Sequence, residues 1–349
     1  MTDIRIFQIL FLTTATAFLA APGLVWLVGK LNLFDSPGSE PHKRHIKRIP
    51  LAGGWILYFT LALISILTGL ITEPVVRMFL AAGGIIFFFG SLDDARNLHP
   101  AVKLCGQIVA AGVLIAGGLQ VHLFASEALN IAVTLLWIVG ITNAFNLIDS
   151  MDGLVAGLST LTAGCFMLVT LHSGQMQLSM VSIILLGAAG CCYYLNAAPA
   201  RIFLGDSGAQ LFGFLLATIG LAYNPVGYSP FSSWYVPVLL LGVPIFDTSL
   251  VVFSRLRRGK PIYRANLDHT YHRLVRLGMS SNRAILTIQF VAFFLDCLAF
   301  IGLNSTPVLA NLIFGSLVIL GAGAIAFLDR QSRWNEIDLA ASPQSSQPG

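Results

Sequence analysis

Apolar residues occur along most of the chain in runs long enough to cross a lipid bilayer. A spanning helix needs about 20 mostly apolar residues. Eleven such runs are centred near residues 17, 61, 84, 111, 136, 163, 187, 215, 244, 294 and 318. The pattern predicts an all-α integral membrane protein, a bundle of about 11 transmembrane helices that forms one domain over residues 1–330. The polar, low-complexity end of the chain predicts a disordered tail over residues 331–349.

One apolar run ends in a row of polar side chains. The run LNIAVTLLWIVGIT, at residues 129–142, is followed directly by NAFNLIDSMDG. This second stretch carries Asn143, Asn146, Asp149 and Asp152. Residues three apart on a helix are neighbours, so the four are expected to form one polar stripe. Lipid cannot solvate such groups, and the stripe therefore indicates a site at the end of the span.

Composition and charge support the membrane assignment and give it a direction. Of the 349 residues, 56% are hydrophobic and only 10% are charged, whereas a soluble globular protein has roughly 25% charged residues. Lys and Arg collect on the cytoplasmic side of a membrane protein. With the N-terminus outside, 18 of the 20 Lys and Arg fall on the inner face, all except Arg5 and Arg77. The sequence therefore predicts a multi-pass membrane protein with its N-terminus outside and a cytoplasmic C-terminus.

Carboxylates gather on the same predicted face. For a single Asp, a solvated helix end is the simpler explanation, but acidic residues contribute little to orientation. A divalent cation with a polyphosphate accounts for the set, because Mg²⁺ takes one or two protein oxygens and leaves its other positions to water and phosphate. No Walker or G-x-G-x-x-G motif is present, which argues against an NTPase or a Rossmann enzyme. The residues concerned are Asp93, Asp94, Asp149, Asp152, Asp206 and Asp247.

The order of five motifs carries a resemblance to a known family. The motifs are LDD, NAFNLIDSMDGLVAG, FLGDSG, PIFDT and DHTYHRLVRLG, and they run from about Asp35 to Gly278 with their flanking sequence. In this order they resemble the polyprenyl-phosphate N-acetylhexosamine-1-phosphate transferases, the glycosyltransferase family 4 relatives of WecA, TagO and MraY. The resemblance implies ten or eleven transmembrane helices in the bacterial plasma membrane and an active site that faces the cytoplasm. It also implies transfer of a sugar 1-phosphate from a UDP-N-acetylhexosamine to undecaprenyl or another polyprenyl phosphate, with release of UMP and use of Mg²⁺ or Mn²⁺.

The resemblance also implies a role for individual residues. Asp206 and Asn146 match the metal ligands, and Asp93, Asp94, Asp149 and Asp152 match the catalytic acidic residues. Residues expected to bind substrate are Asn196 and Phe203 at the uracil, His269, His272 and Arg273 in the histidine motif, Asp247 in PIFDT, and Lys43 and His45 in the first inner loop.

Two departures from the family pattern bear on the donor sugar. The usual H-x-H-H reads HTYH, with Tyr271 in place of a histidine, and the usual P-I-P-R-x-G-G reads RIPLAGG, with Arg48 and Leu51 at the changed positions. The triple histidine of the peptidoglycan translocase is missing. We therefore expect a simple donor such as UDP-GlcNAc, while another UDP-aminosugar or phospho-MurNAc-pentapeptide stays an alternative. Expected partners are the two substrates, membrane lipids and, left open, a second copy of the chain, with no nucleic acid.

Two further alternatives are kept. A secondary transporter also carries intramembrane carboxylates, but its acidic residues lie near the middle of the membrane, where only Asp296 fits. The reaction itself has a one-step path, in which the lipid phosphate attacks directly, and a two-step path through a covalent intermediate on Asp93 or Asp94. A phosphate that is already largely ionised near neutral pH hardly needs a strong base, which favours the one-step path.

Overall fold

The computed structural model describes residues 2–35, 48–261 and 268–341, and the side chains of residues 5–35, 48–261 and 268–330. The predicted substrate residues Lys43 and His45 lie outside the described residues.

The described part of the chain consists almost entirely of helices. A 3₁₀ turn at Leu70–Thr72 follows the second helix, and strands β1 (Phe34–Asp35) and β2 (Ile49–Pro50) pair antiparallel, with Phe34 opposite Pro50. The helices are α1 (Thr2–Lys30), α2 (Gly53–Leu67), α3 (Pro74–Arg96), α4 (Pro100–Ala116), α5 (Glu127–Ile148), α6 (Leu154–His172), α7 (Met176–Asn196), α8 (Gly205–Ala222), α9 (Pro230–Ser233), α10 (Val236–Leu240), α11 (Gly242–Arg257), α12 (Thr270–Arg276), α13 (Ser281–Leu303) and α14 (Pro307–Ala341).

Each predicted span centre falls inside one of these helices. Within the described residues, seven helices are long and apolar enough to cross a membrane, namely α1, α3, α5, α6, α7, α13 and α14. The bent segment from α9 to α11 would make an eighth. Helices α2 and α4 are apolar but shorter, with 15 and 17 residues. The chain therefore has the architecture of an all-α, multi-pass membrane protein, while the count of 11 spans and the orientation stay predictions.

The predicted span near residue 244 is not one straight helix. Helices α10 and α11 meet at Leu241, and the two parts of the segment are bent by 68°. Pro244 has no N–H to donate to the carbonyl of Leu240, and its ring would crowd that carbonyl in a continuous helix. Asp247 lies in the first half of α11, just after the break.

The polar stripe after residue 142 is also only partly helical. Helix α5 ends at Ile148, so Asn143 and Asn146 share a helix while Asp149 and Asp152 lie in the turn that follows. The turn closes at Gly153, whose φ of +77° is in the left-handed region that glycine adopts without strain. The expectation of a single helical stripe was therefore wrong for its last two members, because the chain reverses direction before α6 begins.

Helix α8 lies at the centre of the bundle and is buried from Ser207 to Gly220. It packs against α2, α3 and α5. A Cβ on Gly90 of α3 would lie 2.5 Å from the Cα of Ser207, and one on Gly54 of α2 would lie 2.7 Å from the backbone nitrogen of Gly208. These glycines let the start of α8 approach α2 and α3 at backbone distance.

At the other end of the chain, α14 continues to Ala341, past residue 330 where the sequence predicts the tail to begin. The rest of that predicted tail, residues 342–349, lies outside the described residues.

The contact between α3 and α8 predicts that Gly90→Ala destabilises the protein by about 1–3 kcal/mol, the usual cost of adding a group to a packed interior. Gly112→Ala in α4 is the matched control, since its Cβ would meet nothing within 4 Å. Thermal unfolding of both variants in detergent measures the difference. Equal melting temperatures for the two variants would contradict the close packing.

Candidate active site

Two of the predicted acidic residues, Asp93 and Asp206, both contact Lys103, which lies outside the five sequence motifs. Lys103 Nζ lies 2.6 Å from Asp93 Oδ2 and 2.6 Å from Asp206 Oδ1. Asp93 is at the end of α3, Lys103 in the first turn of α4, and Asp206 in the first turn of α8. Three helix ends therefore bring two carboxylates and one ammonium together. The second oxygen of Asp93, Oδ1, accepts a hydrogen bond from the backbone N–H of Leu98 at 2.6 Å.

Asp94, unlike its neighbour Asp93, bonds to the first turn of α8. Its Oδ1 accepts the backbone N–H of Asp206 at 2.7 Å, and its Oδ2 accepts the hydroxyl of Ser207 at 2.6 Å and the N–H of Ser207 at 3.2 Å. A carboxylate at a helix N-terminus satisfies unpaired N–H groups and interacts favourably with the helix dipole. Asp94 thus fixes the first turn of α8, and with it the position of Asp206.

This contact explains the glycine that begins the GDSG motif. Gly205 has a φ of +70°, and a Cβ there would lie 2.7 Å from Oδ2 of Asp94. Gly205 thus admits the carboxylate of Asp94, and Gly208 admits the backbone of α2, where its Cβ would lie 2.9 Å from the nitrogen of Gly54.

A group of amide side chains supports Asp206 from the apolar side of the site. Asn146 Nδ2 donates to Asp206 Oδ1 at 2.9 Å, and Gln210 Nε2 approaches the same oxygen at 3.3 Å. Gln107 Nε2 donates to Gln210 Oε1 at 3.1 Å, and Asn143 Nδ2 donates to Gln107 Oε1 at 2.7 Å. Buried amides are stable only when they are paired in this way. The network sets the orientation of Asp206.

The turn after α5 adds two more carboxylates, Asp149 and Asp152. Although part of the Asp149 side chain reaches the surface, the surrounding protein desolvates it and raises its pKa to about 8, and the charges of Asp206, Asp94 and Asp152 add to this effect. A shift of this kind is caused by like charges that share a poorly solvated space. Asp149 is therefore close enough to the other acidic residues to feel their charge.

The predicted uracil residues lie beside this turn. The side chain of Asn196 is buried and joins two backbone groups, accepting from Gly153 N at 2.9 Å and donating to Ile202 O at 3.0 Å. Phe203 is half-buried, and its backbone bonds to Pro50 and Gly53 attach the start of α8 to the strand β2 region. Asn196 thus holds the turn in place, and contact of either side chain with a nucleotide stays a prediction.

A second cluster forms around Asp247. His269 Nδ1 lies 2.7 Å from Asp247 Oδ2, and the backbone N–H of Thr270 donates to Asp247 Oδ1 at 2.6 Å. His272 lies one residue beyond Tyr271, whose ring it meets edge-on with the centroids 5.1 Å apart. Asp247 therefore anchors the histidine motif at the start of α12.

The cluster around Asp247 contacts the end of α5 and the turn that follows it. A small recess is lined there by Ile148 and Ser150 on one side and by Asp247, His269 and Tyr271 on the other. Tyr271, the residue that departs from the family pattern, is 5% exposed and packs in this recess with Leu154, Val243 and Ile288 lining the same space. Its place is in the protein interior.

Arg273 differs from the other members of the histidine motif. Its guanidinium is 3% exposed and donates to two backbone carbonyls, through Nε to Asp268 O at 2.7 Å and through Nη1 to Leu328 O at 3.0 Å. The predicted contact of Arg273 with substrate is not among these bonds and stays a prediction.

The donor set fits a hard divalent cation. Among the described residues, no group of three or more His, Cys, Asp and Glu side chains is arranged to hold a metal alone. Mg²⁺ does not need one, since it usually binds through one or two carboxylates together with water and phosphate. Asp206 can supply such an oxygen, and the amide of Asn146, the other predicted ligand, lies beside its Oδ1.

Sequence reasoning missed Lys103, Gln107 and Gln210. Lys103 contributed only to the prediction of membrane orientation, because it lies outside the motifs that predicted the site. One signal was available: Gln107 interrupts an apolar run four residues after Lys103, so both lie on one face of α4.

Comparisons with known proteins support the resemblance that the motifs suggested. Residues 76–224 match Glycosyl transferase family 4, a range that includes the acidic pair, the stripe and the GDSG motif. A decaprenyl-phosphate N-acetylglucosaminephosphotransferase of Mycolicibacterium smegmatis is 31% identical over 283 residues, 70% of this chain and 69% of the relative. The chain belongs to glycosyl transferase family 4.

Two other relatives match over more of the chain at slightly lower identity. A probable undecaprenyl-phosphate N-acetylglucosaminyl 1-phosphate transferase of Bacillus subtilis is 29% identical over 325 residues, 90% of each chain. An undecaprenyl-phosphate alpha-N-acetylglucosaminyl 1-phosphate transferase of Yersinia pestis is 28% identical over 295 residues, 78% of each chain. The family similarity therefore extends beyond the residues matched to family 4 itself and covers the histidine motif.

The buried position of Tyr271 leads to a prediction about folding. Tyr271→Phe is expected to keep the stability of the protein, whereas Tyr271→Ala should lower the free energy of unfolding by about 3–5 kcal/mol, as for other large aromatic residues in a core. Thermal unfolding in detergent measures both variants. The assignment would be wrong if Tyr271→Ala melted with the wild type, because such a result places the ring outside the packed interior.

Proposed function

We propose that the protein transfers N-acetylglucosamine 1-phosphate from UDP-GlcNAc to undecaprenyl phosphate, or a similar polyprenyl phosphate, and releases UMP. The observation that carries the proposal is the cluster of Asp93, Lys103 and Asp206 at the meeting point of three helix ends. The printed names of its relatives in Bacillus subtilis, Yersinia pestis and Mycolicibacterium smegmatis describe this type of transfer. The product would begin a lipid-linked glycan of the cell envelope.

The chemistry requires an oxygen of the lipid phosphate to attack the β-phosphorus of the donor. The bond from that phosphorus to the bridging oxygen breaks, and UMP leaves with the electron pair. A bound Mg²⁺ or Mn²⁺ would reduce the charge repulsion between the phosphates and the site carboxylates. Most of the remaining rate enhancement comes from positioning, as in other phosphoryl transfers.

The chain's own residues supply that positioning. Asp94 holds the first turn of α8, and Asn146 and Gln210 orient the Asp206 carboxylate that it presents. Lys103 lies between Asp93 and Asp206, where its ammonium can also offset phosphate charge.

Asp149 and Asp152 in the adjacent turn, with Asn196 and Phe203 behind them, are proposed to line the nucleotide. His269, held by Asp247, and His272 are proposed to contact the sugar or the diphosphate.

The contacts of the acidic pair favour the one-step path. A carboxylate nucleophile needs an oxygen free to attack, but both oxygens of Asp94 accept hydrogen bonds from the start of α8. Asp93 likewise has one oxygen at the ammonium of Lys103 and the other at the N–H of Leu98. Hydrogen bonds and ion pairs of this kind stabilise the carboxylate and reduce its nucleophilicity. Direct attack by the lipid phosphate avoids that cost.

We also propose that the site faces the cytoplasm of a bacterium, in the plasma membrane, with about 11 spans and the N-terminus outside. The orientation rests on the distribution of Lys and Arg along the chain, and the bacterial membrane on the relatives in Bacillus subtilis and Yersinia pestis. The helix ends that carry Asp93, Lys103 and Asp206 then lie on one side of the membrane, where a water-soluble donor meets a lipid acceptor.

The purified protein is expected to release UMP when UDP-GlcNAc, undecaprenyl phosphate and Mg²⁺ are all present. Asp206→Asn should abolish release, because it removes a charged oxygen ligand, while leaving membrane insertion unchanged. UDP-MurNAc-pentapeptide should not serve as donor, since the histidine motif lacks the triple histidine. The measurement is UMP release across a panel of donors. Absence of release with every donor would overturn the function, and preference for the pentapeptide would reverse the choice of donor.

Topology provides a separate test. A cysteine substituted at Arg276, an exposed position in α12, should be shielded from a membrane-impermeant thiol reagent in intact cells and should react after the cells are opened. Cys105 is exposed and therefore needs replacement by Ser in the parent protein. Labelling of position 276 in intact cells would contradict the orientation and the cytoplasmic site together.

A further inference from the structure

A set of charged residues, most of them buried, contacts the histidine motif and includes its Arg273. None of the steps proposed above uses it. It joins the end of α11, the residues before α12 and the end of the last span, α14. The set consists of Arg255, Arg257 and Arg258, Asp268 and Arg273, and Asp329, and is called the arginine network below.

Asp268 is the first point at which the network holds the histidine motif. Its Oδ1 lies 3.0 Å from Arg258 Nη2, and its Oδ2 lies 3.5 Å from Arg255 Nε. Burial alone would raise the pKa of Asp268, but the hydrogen bond from Arg258 and the charges of Arg258, Arg255 and Arg273 outweigh it and lower the pKa. Asp268 directly precedes His269, so this ion pairing fixes the residue next to the histidine.

Arg273 is the second residue through which the arginine network holds the histidine motif. Its two hydrogen bonds join the carbonyl of Asp268, at the start of the motif, to the carbonyl of Leu328 in α14. A planar guanidinium can donate in two directions at once, which a lysine cannot do with the same geometry. Arg273 therefore ties the short helix α12 to the last span.

Asp329 fastens α14 to α11. Its Oδ1 accepts the hydroxyl of Ser254 at 2.7 Å, and its Oδ2 lies 2.8 Å from Arg257 Nη1. Asp329 is 1% exposed, and a charge buried this deeply is unfavourable unless it is paired. Removing its charge leaves the facing arginine without that partner and loosens the junction.

The first turns of α14 pack against the segment of α9 and α10, where Asn311 bonds to Phe231 and Phe314 stacks on Tyr235. Only 6% of the most apolar stretch of Pro307–Arg330 is buried in the protein, and large apolar side chains such as Ile319 and Leu320 are exposed along it. The arginine network therefore provides the polar contacts that hold the far end of α14 to α11 and α12.

We infer that the end of α14 positions His269 for the transfer reaction, through Asp329 and Arg273 acting as positioning residues. The inference rests on the proposed function, since it assumes that His269 contacts the substrate. His269 is held from one side by Asp247 and, through Asp268 and Arg273, from the other side by the arginine network. Arg273 then acts on the reaction without touching the substrate.

The first test is structural and needs no activity. Hydrogen–deuterium exchange of the full-length protein in detergent is compared for wild type, Asp329→Asn and the control Arg330→Gln, which changes an exposed neighbouring charge. Asp329→Asn should raise the exchange rate of amides in residues 268–276 at least 10-fold, whereas Arg330→Gln should leave them within 2-fold. Unchanged exchange in Asp329→Asn would overturn the inference, whatever reaction the protein catalyses.

The second test separates positioning from general loss of folding. Asp329→Asn is expected to slow UMP release about 10-fold with little change in the KM for the donor. In a His269→Ala background the same substitution should slow it less than 2-fold, because a residue that acts through His269 has nothing left to position. Additive losses in the double variant would overturn the inference.

Arg273→Lys distinguishes a positioning role from a substrate contact. A lysine keeps the positive charge but cannot bridge the carbonyls of Asp268 and Leu328, so exchange in residues 268–276 should rise as it does in Asp329→Asn. A direct contact with substrate phosphate predicts the opposite pattern, a raised KM for the donor with exchange unchanged, and that result would overturn the role of Arg273.

Discussion

The pairing of Asp94 with the first turn of α8 is the interaction on which the candidate site depends. Three hydrogen bonds from Asp206 and Ser207 converge on one carboxylate, which satisfies N–H groups that begin the helix and favours its dipole. Helix α8 is buried along most of its length, so fixing its start places every side chain that it presents. Asp206 reaches Lys103 and Asn146 because Asp94 holds the backbone beneath it.

Backbone proximity makes this pairing feasible. The glycines at 54, 90, 205 and 208 remove the Cβ atoms that would separate α2, α3 and α8. The carboxylate of Asp94 can therefore lie within hydrogen-bonding distance of another helix's main chain. Helices with larger residues at these positions would stand farther apart, and the acidic residues would then be solvated separately instead of sharing one poorly solvated space.

The charged groups around Asp206 and those of the arginine network are stabilised for the same physical reason. Buried charge is stable only when it is paired and hydrogen-bonded, and each cluster satisfies this in its own way. Around Asp206 the partners are a lysine and amides, whose arrangement leaves a half-buried carboxylate beside Asp149. Around Asp268 and Asp329 the partners are arginines, and the two carboxylates are almost wholly buried. The first arrangement suits a ligand site, and the second suits a fixed support.

The sequence by itself determined the membrane class, the positions of the apolar helices and the family, because length, hydropathy and motif order are local properties of the chain. It also predicted that Asp93, Asp94, Asp149 and Asp206 belong to one site. Only the tertiary structure decided which groups each polar side chain contacts. Asp94 caps α8, and Lys103 pairs with both Asp93 and Asp206. Asn196 and Arg273 hydrogen-bond to backbone groups. The tertiary structure also decided that α5 ends at Ile148 and that the helical segment near residue 244 is interrupted at Leu241. These facts depend on which helix ends meet, and residues 103 positions apart, such as Lys103 and Asp206, come into contact only when the bundle has packed.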